Sequence, residues 1–329
     1  MDDNAQAIEV GKRTVRIEAA SVEALEGRIG GEFATAVNVL ARCSGRVIVA
    51  GVGKSGIIGR KIVATLNSTG TPSVFLHPAD AMHGDLGLVR KDDVVICISK
   101  SGTTAEFNTL LPVFKNLGVP VIAIVGNLAS TLAREATVAI DAAVDEEACP
   151  HDLAPTSSTT ATLVLGDALA IALLERRKFT QEQFAQYHPG GAIGKRLLLK
   201  VDELMVRGDA VPRVRRSVPL AEAIVEISTR RLGCTCVVRE DGTLEGIITD
   251  GDLRRLLHRI HDITSVTAGD AMTQHPKTIK PGTLAVQALE HMEEFSITQM
   301  IVVGDDNLPV GVVHLHDLVK AGLRSDDAP

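Results

Sequence analysis

Five consecutive apolar residues, Val94 to Ile98, are followed at once by Ser99, Lys100, Ser101, Gly102, Thr103 and Thr104. A helical spacing of apolar positions then begins with Phe107, Leu110, Leu111 and Phe114. A strand that is apolar on every residue has no face to give to water, so it belongs inside a parallel sheet covered on both sides. Where such a strand ends in small hydroxyl residues and a glycine and then opens a helix, free backbone N–H groups and the helix dipole converge on one spot suited to an anion. The dipole contributes only about 1–2 kcal/mol, whereas micromolar binding needs roughly 8 kcal/mol. The Ser and Thr side chains therefore have to supply much of the affinity for a phosphate. A purely structural reading stands beside this one, because Thr103 and Glu106 have the spacing of a capping box.

The flanking sequence repeats the alternation. Thr14 to Cys43 reads as one long helix whose apolar stripe has no partner nearby in sequence, which suggests packing across a subunit boundary. Arg46–Ala50 is a buried strand, and Gly51-Val52-Gly53-Lys54-Ser55-Gly56 opens the next helix. These six residues match the dinucleotide pattern GxGxxG, but the following strand, Ser73–Leu76, ends at His77 where a nicotinamide enzyme wants an acid. The Gly53-Lys54-Ser55 triplet also lacks the earlier glycine of a P-loop, since Ile48 stands there. A lysine in a first helical turn opposes the dipole, which singles out Lys54. His77, Asp80, His83 and Asp85 share one loop, open to metal binding, sugar contacts or plain structural bonding. Pro120–Val125 and Thr137–Ile140 continue the strands, with a short helix at Leu128–Arg134 between them. Such a doubly wound sheet binds ligands at the carboxyl ends of its strands. A second hydroxyl-rich helix start, Thr156 to Thr160, and the turn His188-Pro189-Gly190-Gly191 follow.

Composition narrows the function classes. Aromatics make up 2% of the 329 residues and the net charge is −7, against a base-stacking surface or a phosphate-backbone footprint. No nucleic-acid partner is expected. Cys43, Cys97, Cys149, Cys234 and Cys236 have no metal spacing and suit a reducing cytosol. The acidic start lacks an apolar signal core, and no apolar run reaches the length of a membrane span, so a soluble cytoplasmic protein with no membrane partner is expected.

From about Val201 an internal repeat appears. Glu203-Leu204-Met205 recurs as Asp270-Ala271-Met272, and Gly246-Ile247-Ile248-Thr249-Asp250-Gly251-Asp252-Leu253 as Gly311-Val312-Val313-His314-Leu315-His316-Asp317-Leu318, at offsets of 67 and 65. This period predicts a duplicated β–α–β–β–α unit with its copies packed face to face.

The repeat resembles a pair of cystathionine-β-synthase (CBS) domains, and the first part resembles a sugar isomerase (SIS) domain. With GVGKSGIIGRK, STGTPSVFLHPADAMHGDLG, ISKSGTT, EEACPHDLAPTSSTTAT, YHPGGAIGK, TDGDLRR and HLHDL in this order, the whole chain resembles the D-arabinose 5-phosphate isomerase family. The resemblance implies a flavodoxin-like SIS domain at 1–200, CBS domains at 201–264 and 265–329, and a homotetramer. It implies interconversion of ribulose and arabinose 5-phosphates for Kdo synthesis, with no required cofactor and a zinc ion at His77 that turnover does not need. It places catalysis on Lys54, Glu106, Glu147 and His188. Substrate contacts fall on Ser55, Gly70, Thr71, His83, Ser99, Ser101, Thr104, Ser157, Ser158 and Thr159, and on Ser217 and Asp270 reaching a neighbour's site. Thr249 and Asp252 fit the pattern that holds a nucleotide or nucleotide-sugar effector, while the second copy has His314 and Asp317, and a purely structural role for the pair stands beside this reading. Thr103 and Ile57 depart from residues common in the family, Glu and His.

Isomerisation through an enediol needs a base, a reprotonating group and an oxyanion partner. Glu106 and Glu147 are assigned to acid/base work, with carboxyls raised toward neutrality, Lys54 to the enediolate, and His188 to proton transfer and ring opening. Two rivals remain. One is an isomerase for another sugar phosphate. The other is a phosphosugar-sensing regulator, which would want a basic recognition helix before residue 40.

Overall fold

The computed structural model describes residues 3–260 and 262–323, and the chain divides into two compact units, one ending at Phe184 and one starting at Ala185. Residues 1 and 2, 261 and 324–329 of the three expected domains lie outside the described residues.

In the first unit, helices α1 (Asp3–Glu26) and α2 (Gly31–Ala41) precede β1 (Val47–Gly51), α3 (Gly53–Ser68), β2 (Ser73–Leu76) and the short α4 (Pro78–Ala81). Then come β3 (Val94–Ser99), α5 (Ala105–Asn116), β4 (Val121–Val125), α6 (Thr131–Glu135), β5 (Val138–Asp141) and α7 (Ser157–Arg176). Among the described residues the strands form one parallel sheet in the order β2-β1-β3-β4-β5. β1, β3 and β4 are buried at every residue, which is why their sequences carry no alternation.

Successive residues nevertheless serve two different cores. Val47, Val49, Ile96, Ile98, Ile122 and Ile124 pack with α2, α3 and α7, whereas Ile48, Ala50, Val95, Cys97, Val121 and Ala123 pack with α5 and α6. α7 is long and apolar enough to cross a membrane by length and composition, yet it lays Ala161, Leu165, Leu169 and Leu173 into the first of these cores. It passes α3 so closely that a Cβ on Gly166 would strike Ile62.

The expected single helix over Thr14–Cys43 is corrected to two, broken at Gly27–Gly30 because glycine is a poor helix former. Its stripe also has a partner within the chain: Leu25, Ala36, Val37 and Leu40 are buried against the core around α7, although Val15 stays 69% exposed. α2 carries no Lys or Arg and is embedded in the core.

The second unit opens around α8 (Gln181–Tyr187) and α9 (Ala192–Leu198). The repeat follows as β6 (Val206–Arg207), β7 (Arg213–Arg215), α10 (Leu220–Arg230), β8 (Cys234–Val238), β9 (Leu244–Thr249) and α11 (Asp250–Leu257). The second copy is α12 (Ala268–Ala271), β10 (Thr273–Gln274), β11 (Thr278–Ile279), α13 (Ala285–Glu294), β12 (Gln299–Val303), β13 (Pro309–His314) and α14 (Leu315–Lys320).

The two copies exchange their entry strands. β10, from the second copy, pairs with β9 of the first, and β6, from the first, pairs with β13 of the second. Met272 and Met205 then pack against Gly246 and Gly311, where a Cβ on either glycine would collide with the thioether. Ile301, Val303 and Val312 share a core with Val211, Cys234, Cys236 and Ile247, so the copies meet face to face as the repeat predicted.

Candidate active site

The strand order reverses between β1 and β3, and at such a point the loops leaving adjacent strands diverge to open a crevice. A cavity of about 370 Å³ lies there. Val52 and Ser55 line it from the β1–α3 turn, Ser99, Lys100, Ser101 and Thr104 from the β3–α5 turn, and Ala142, Val144 and Ser158 from beyond β5. The β3–α5 turn is held open by its own hydroxyls. Ser99 Oγ lies 2.7 Å from Thr104 Oγ1 and accepts the Gly102 N–H at 3.0 Å, while Ser101 Oγ accepts from Thr103 N at 3.3 Å. Gly102 sits at φ +67, and a Cβ there would collide with Ser130, so the turn needs glycine twice over.

The capping-box reading of this turn is not what forms. α5 begins after Thr104, which makes no side-chain cap, and Thr103 points its hydroxyl to Ser101 at 3.2 Å. The first N–H groups of α5 are thus left without a side-chain cap, as an anion seat requires. Glu106, half-buried, stands in the first turn of this helix. Lys54 is exposed in the first turn of α3, next to Ser55 and to the 67%-exposed Ile57.

Glu147 is the best-bonded acid in the unit. Its side chain is 1% exposed and takes the Lys100 ammonium at 2.6 Å. It also accepts Thr156 N at 2.7 Å, Ser158 N and Thr156 Oγ1 at 3.2 Å each, and the Ser158 hydroxyl. Thr156, the residue before α7, makes no cap of its own, so the Glu147 carboxylate caps that helix.

The Ser157–Thr160 helix start, expected to meet a phosphate, receives the Glu147 carboxylate of the same chain in this structure. Ser158 lines the cavity but donates to Glu147, Ser157 is fully buried with no partner for its hydroxyl, and Thr159 bonds back to Thr156 O at 2.8 Å. The carboxyl of Glu147 is not raised toward neutrality as expected. Burial pushes it up, but the Lys100, Ser158 and Thr156 donors outweigh burial and hold it at about 2.

Residues 40–172 match the SIS domain family, and 201–259 and 268–324 match the CBS domain family. The chain is 52% identical over 323 residues, 98% of its length and 99% of the relative's, to the arabinose 5-phosphate isomerase KdsD of Pseudomonas aeruginosa. The chain belongs to the arabinose 5-phosphate isomerase family. The Escherichia coli K12 member is 48% identical over 315 residues, covering 96% of both chains. A solved E. coli CFT073 chain in complex with A5P is 46% identical, with a TM-score of 0.55, over 56% of this chain and 99% of that one.

Other positions that the family resemblance singled out are placed elsewhere. Gly70 and Thr71 precede β2 and so lie at the amino ends of the strands, the edge opposite the cavity. There Arg177 bonds Thr71 Oγ1 at 2.8 Å, and a Cβ on Gly70 would meet the Phe179 ring.

His77 caps α4, its Nδ1 accepting Ala79 N at 3.3 Å, and His83 is exposed just beyond. Among the described residues no three His, Cys, Asp or Glu gather to hold a metal, so His77 does not fit a zinc site built by one chain. His188 belongs to the second unit, in a turn whose Gly191 N–H bonds its carbonyl at 3.0 Å.

Thr249 and Asp252 form a capping box, with Thr249 Oγ1 to Asp252 Oδ2 at 2.6 Å. Arg255 and Thr273 take the other oxygen at 2.6 and 3.0 Å, so this pair is satisfied internally. Ser217 and Asp270 are exposed in the same unit. Asp270 closes a second capping box with Thr267, beside the Arg216–Val218 segment.

Lys100 is the residue that sequence reading passed over. Its signal was the same as that of Lys54, a cation in a strand-to-helix turn, but its partner lies 47 residues away.

Proposed function

We propose that this chain interconverts D-ribulose 5-phosphate and D-arabinose 5-phosphate through an enediol. The observation that carries this reading is the hydroxyl-lined cavity at the β1/β3 switch point, in a chain matched nearly end to end by relatives named for that isomerisation. Ser55, Ser99, Ser101 and Thr104, with the uncapped start of α5, take the phosphate. The sugar then extends toward Glu106 and Lys54, each within two residues of a cavity-lining side chain.

A carboxylate removes the C1 proton of the ketose, Lys54 balances the enediolate, and protonation at C2 gives the aldose. Glu106 and Glu147 share the acid/base work, and His188 serves ring opening. The product supplies Kdo synthesis in the cytoplasm, a reading supported by five free cysteines. In this reading the enzyme works as a homotetramer, with Ser217 and Asp270 reaching a neighbour. The CBS pair then senses a nucleotide or nucleotide sugar, and heat on titration with AMP, ATP or a cytidine-linked sugar is its check.

The test of the activity is purified protein with ribulose 5-phosphate in deuterium oxide, followed by NMR. New aldose signals with deuterium at C2 are expected. A ketose spectrum unchanged over hours excludes the activity.

A further inference from the structure

Lys100 and Glu147 are joined across the wall of the cavity. Lys100 lines it with a side chain 47% exposed, and Ser158, which bonds Glu147, lines it too, while Glu147 itself is buried behind them. The pair is thus asymmetric: the acid is fixed and the base is free to turn. Thr156 and Ser158 hold Glu147 from the start of α7, and Asp152 accepts the Glu147 N–H at 2.7 Å from a turn in left-handed backbone, φ 54. Lys100 is anchored by its own backbone, whose carbonyl accepts the Gly126 N–H at 3.0 Å, and four methylenes separate that anchor from the ammonium. Its neighbours Ser99 and Ser101 belong to the hydroxyl cluster to which the phosphate was assigned above.

We propose that Lys100 is a shared counter-ion that the substrate's phosphate draws away from Glu147, so that the acid becomes free to exchange a proton only when a phosphorylated sugar is in place. The proposal rests on the assignment of the cavity to a sugar phosphate. Its logic is linkage: a phosphate and Glu147 compete for one ammonium, so occupancy of one site weakens the ammonium's hold on the other by the same factor. A dianion entering the pocket is the stronger competitor, because it carries more charge than the carboxylate and meets the Lys100 ammonium on the exposed side. Among the described residues Lys100 is the one charged side chain bonded to the Glu147 carboxylate, whose other partners are the neutral donors of Thr156 and Ser158, while Asp152 takes the Glu147 N–H. The departure of Lys100 leaves a buried acid with neutral donors only and so shifts its titration upward.

The arrangement makes proton transfer conditional on the phosphate. A sugar without one leaves Lys100 on Glu147 and finds the acid locked.

Three measurements test this on the full-length protein. In the wild type, the carbon-13 carboxyl signal of Glu147 is followed against pH with and without saturating inorganic sulfate, which unlike phosphate stays a dianion through most of the carboxylate range. The midpoint is expected to rise with sulfate, and an unmoved midpoint overturns the proposal without reference to turnover. Glu147→Gln removes the competitor, so it is expected to bind inorganic phosphate several-fold more tightly by calorimetry, and weaker binding overturns the proposal.

In Lys100→Met, KM for the sugar phosphate is expected to rise about tenfold, the acidic limb of the kcat/KM profile, which reports the free enzyme, to move to higher pH, and Lys100→Arg to restore KM. A variant with both KM and the limb unchanged overturns the idea. Should the wild type fail to turn over ribulose 5-phosphate while the sulfate-dependent titration holds, the substrate assignment fails and the counter-ion exchange stands.

Discussion

Glu147 ties the acid stability of the first unit to its chemistry. Its carboxyl is held at about 2 by Lys100, Ser158 and Thr156 against the opposing pull of burial, below the ordinary range near 4.5. A depressed acid stabilises the fold at pH values above its ordinary range, and that contribution is lost as pH falls toward the folded value. Denaturant unfolding is therefore expected to show stability falling between about pH 4.5 and 2, and Glu147→Gln to flatten that slope. The same substitution places an amide among five donors and strips Lys100 of its partner, so a loss of about 1–3 kcal/mol at neutral pH is expected. Gly102 makes a second prediction at this scale. Gly102→Ala puts a methyl at φ +67 against Ser130, so it is expected to cost about 1–3 kcal/mol in thermal denaturation and to weaken inorganic phosphate binding by disturbing the Ser99–Thr104 turn. That glycine marked a turn was readable from its place between hydroxyls; that Ser130 crowds it was not, because Ser130 arrives from the far side of β4.

Elements explain why some parts were legible and others were not. β3 was read correctly because its two-sided burial is written into five apolar residues, a signal that needs no knowledge of neighbours. The expected long helix over Thr14–Cys43 was misread because apolar spacing continues across a break, and the glycines at 27, 30 and 31 decide locally what periodicity cannot. The start of α7 was legible only in part, for a different reason. Its hydroxyls do mark a helix N-terminus wanting negative charge, but the charge that reaches it is Glu147, ten residues upstream of Ser157 in a segment without regular structure. Packing between α3 and α7 yields a sharper test. Gly166→Ala drives a methyl into Ile62 and is expected to lower stability by about 1–3 kcal/mol. Adding Ile62→Val or Ile62→Ala is expected to recover part of that loss in the same melting experiment, whereas independent additive losses would refute a direct clash.

At the scale of the whole molecule, the repeat was visible in the sequence but its exchange of strands was not. Each copy sends its first strand to the other's sheet, and the two share a core through Ile301, Val303 and Val312. A chain ending after residue 264 loses β10 from one sheet, the partner of β6 from the other, and the shared apolar face. It is expected to leave residues 201–264 unfolded by proteolysis and hydrogen exchange, while the first unit, with its own sheet and two cores, keeps its protection. A protected remnant in 201–264 would show that one copy suffices. By itself, then, the sequence determined the parallel sheet, the edge where loops converge, the hydroxyl cradle after β3 and the duplicated second half. All of these are set by local periodicity and turn chemistry. Only the tertiary structure decided that Glu147 fills the start of α7, that Lys100 faces it, that Gly70 and Thr71 sit on the opposite edge, and that the repeats trade strands. Each of these depends on which distant backbone ends are brought within a few ångströms, and chain closure over tens of residues leaves no periodic trace in the sequence.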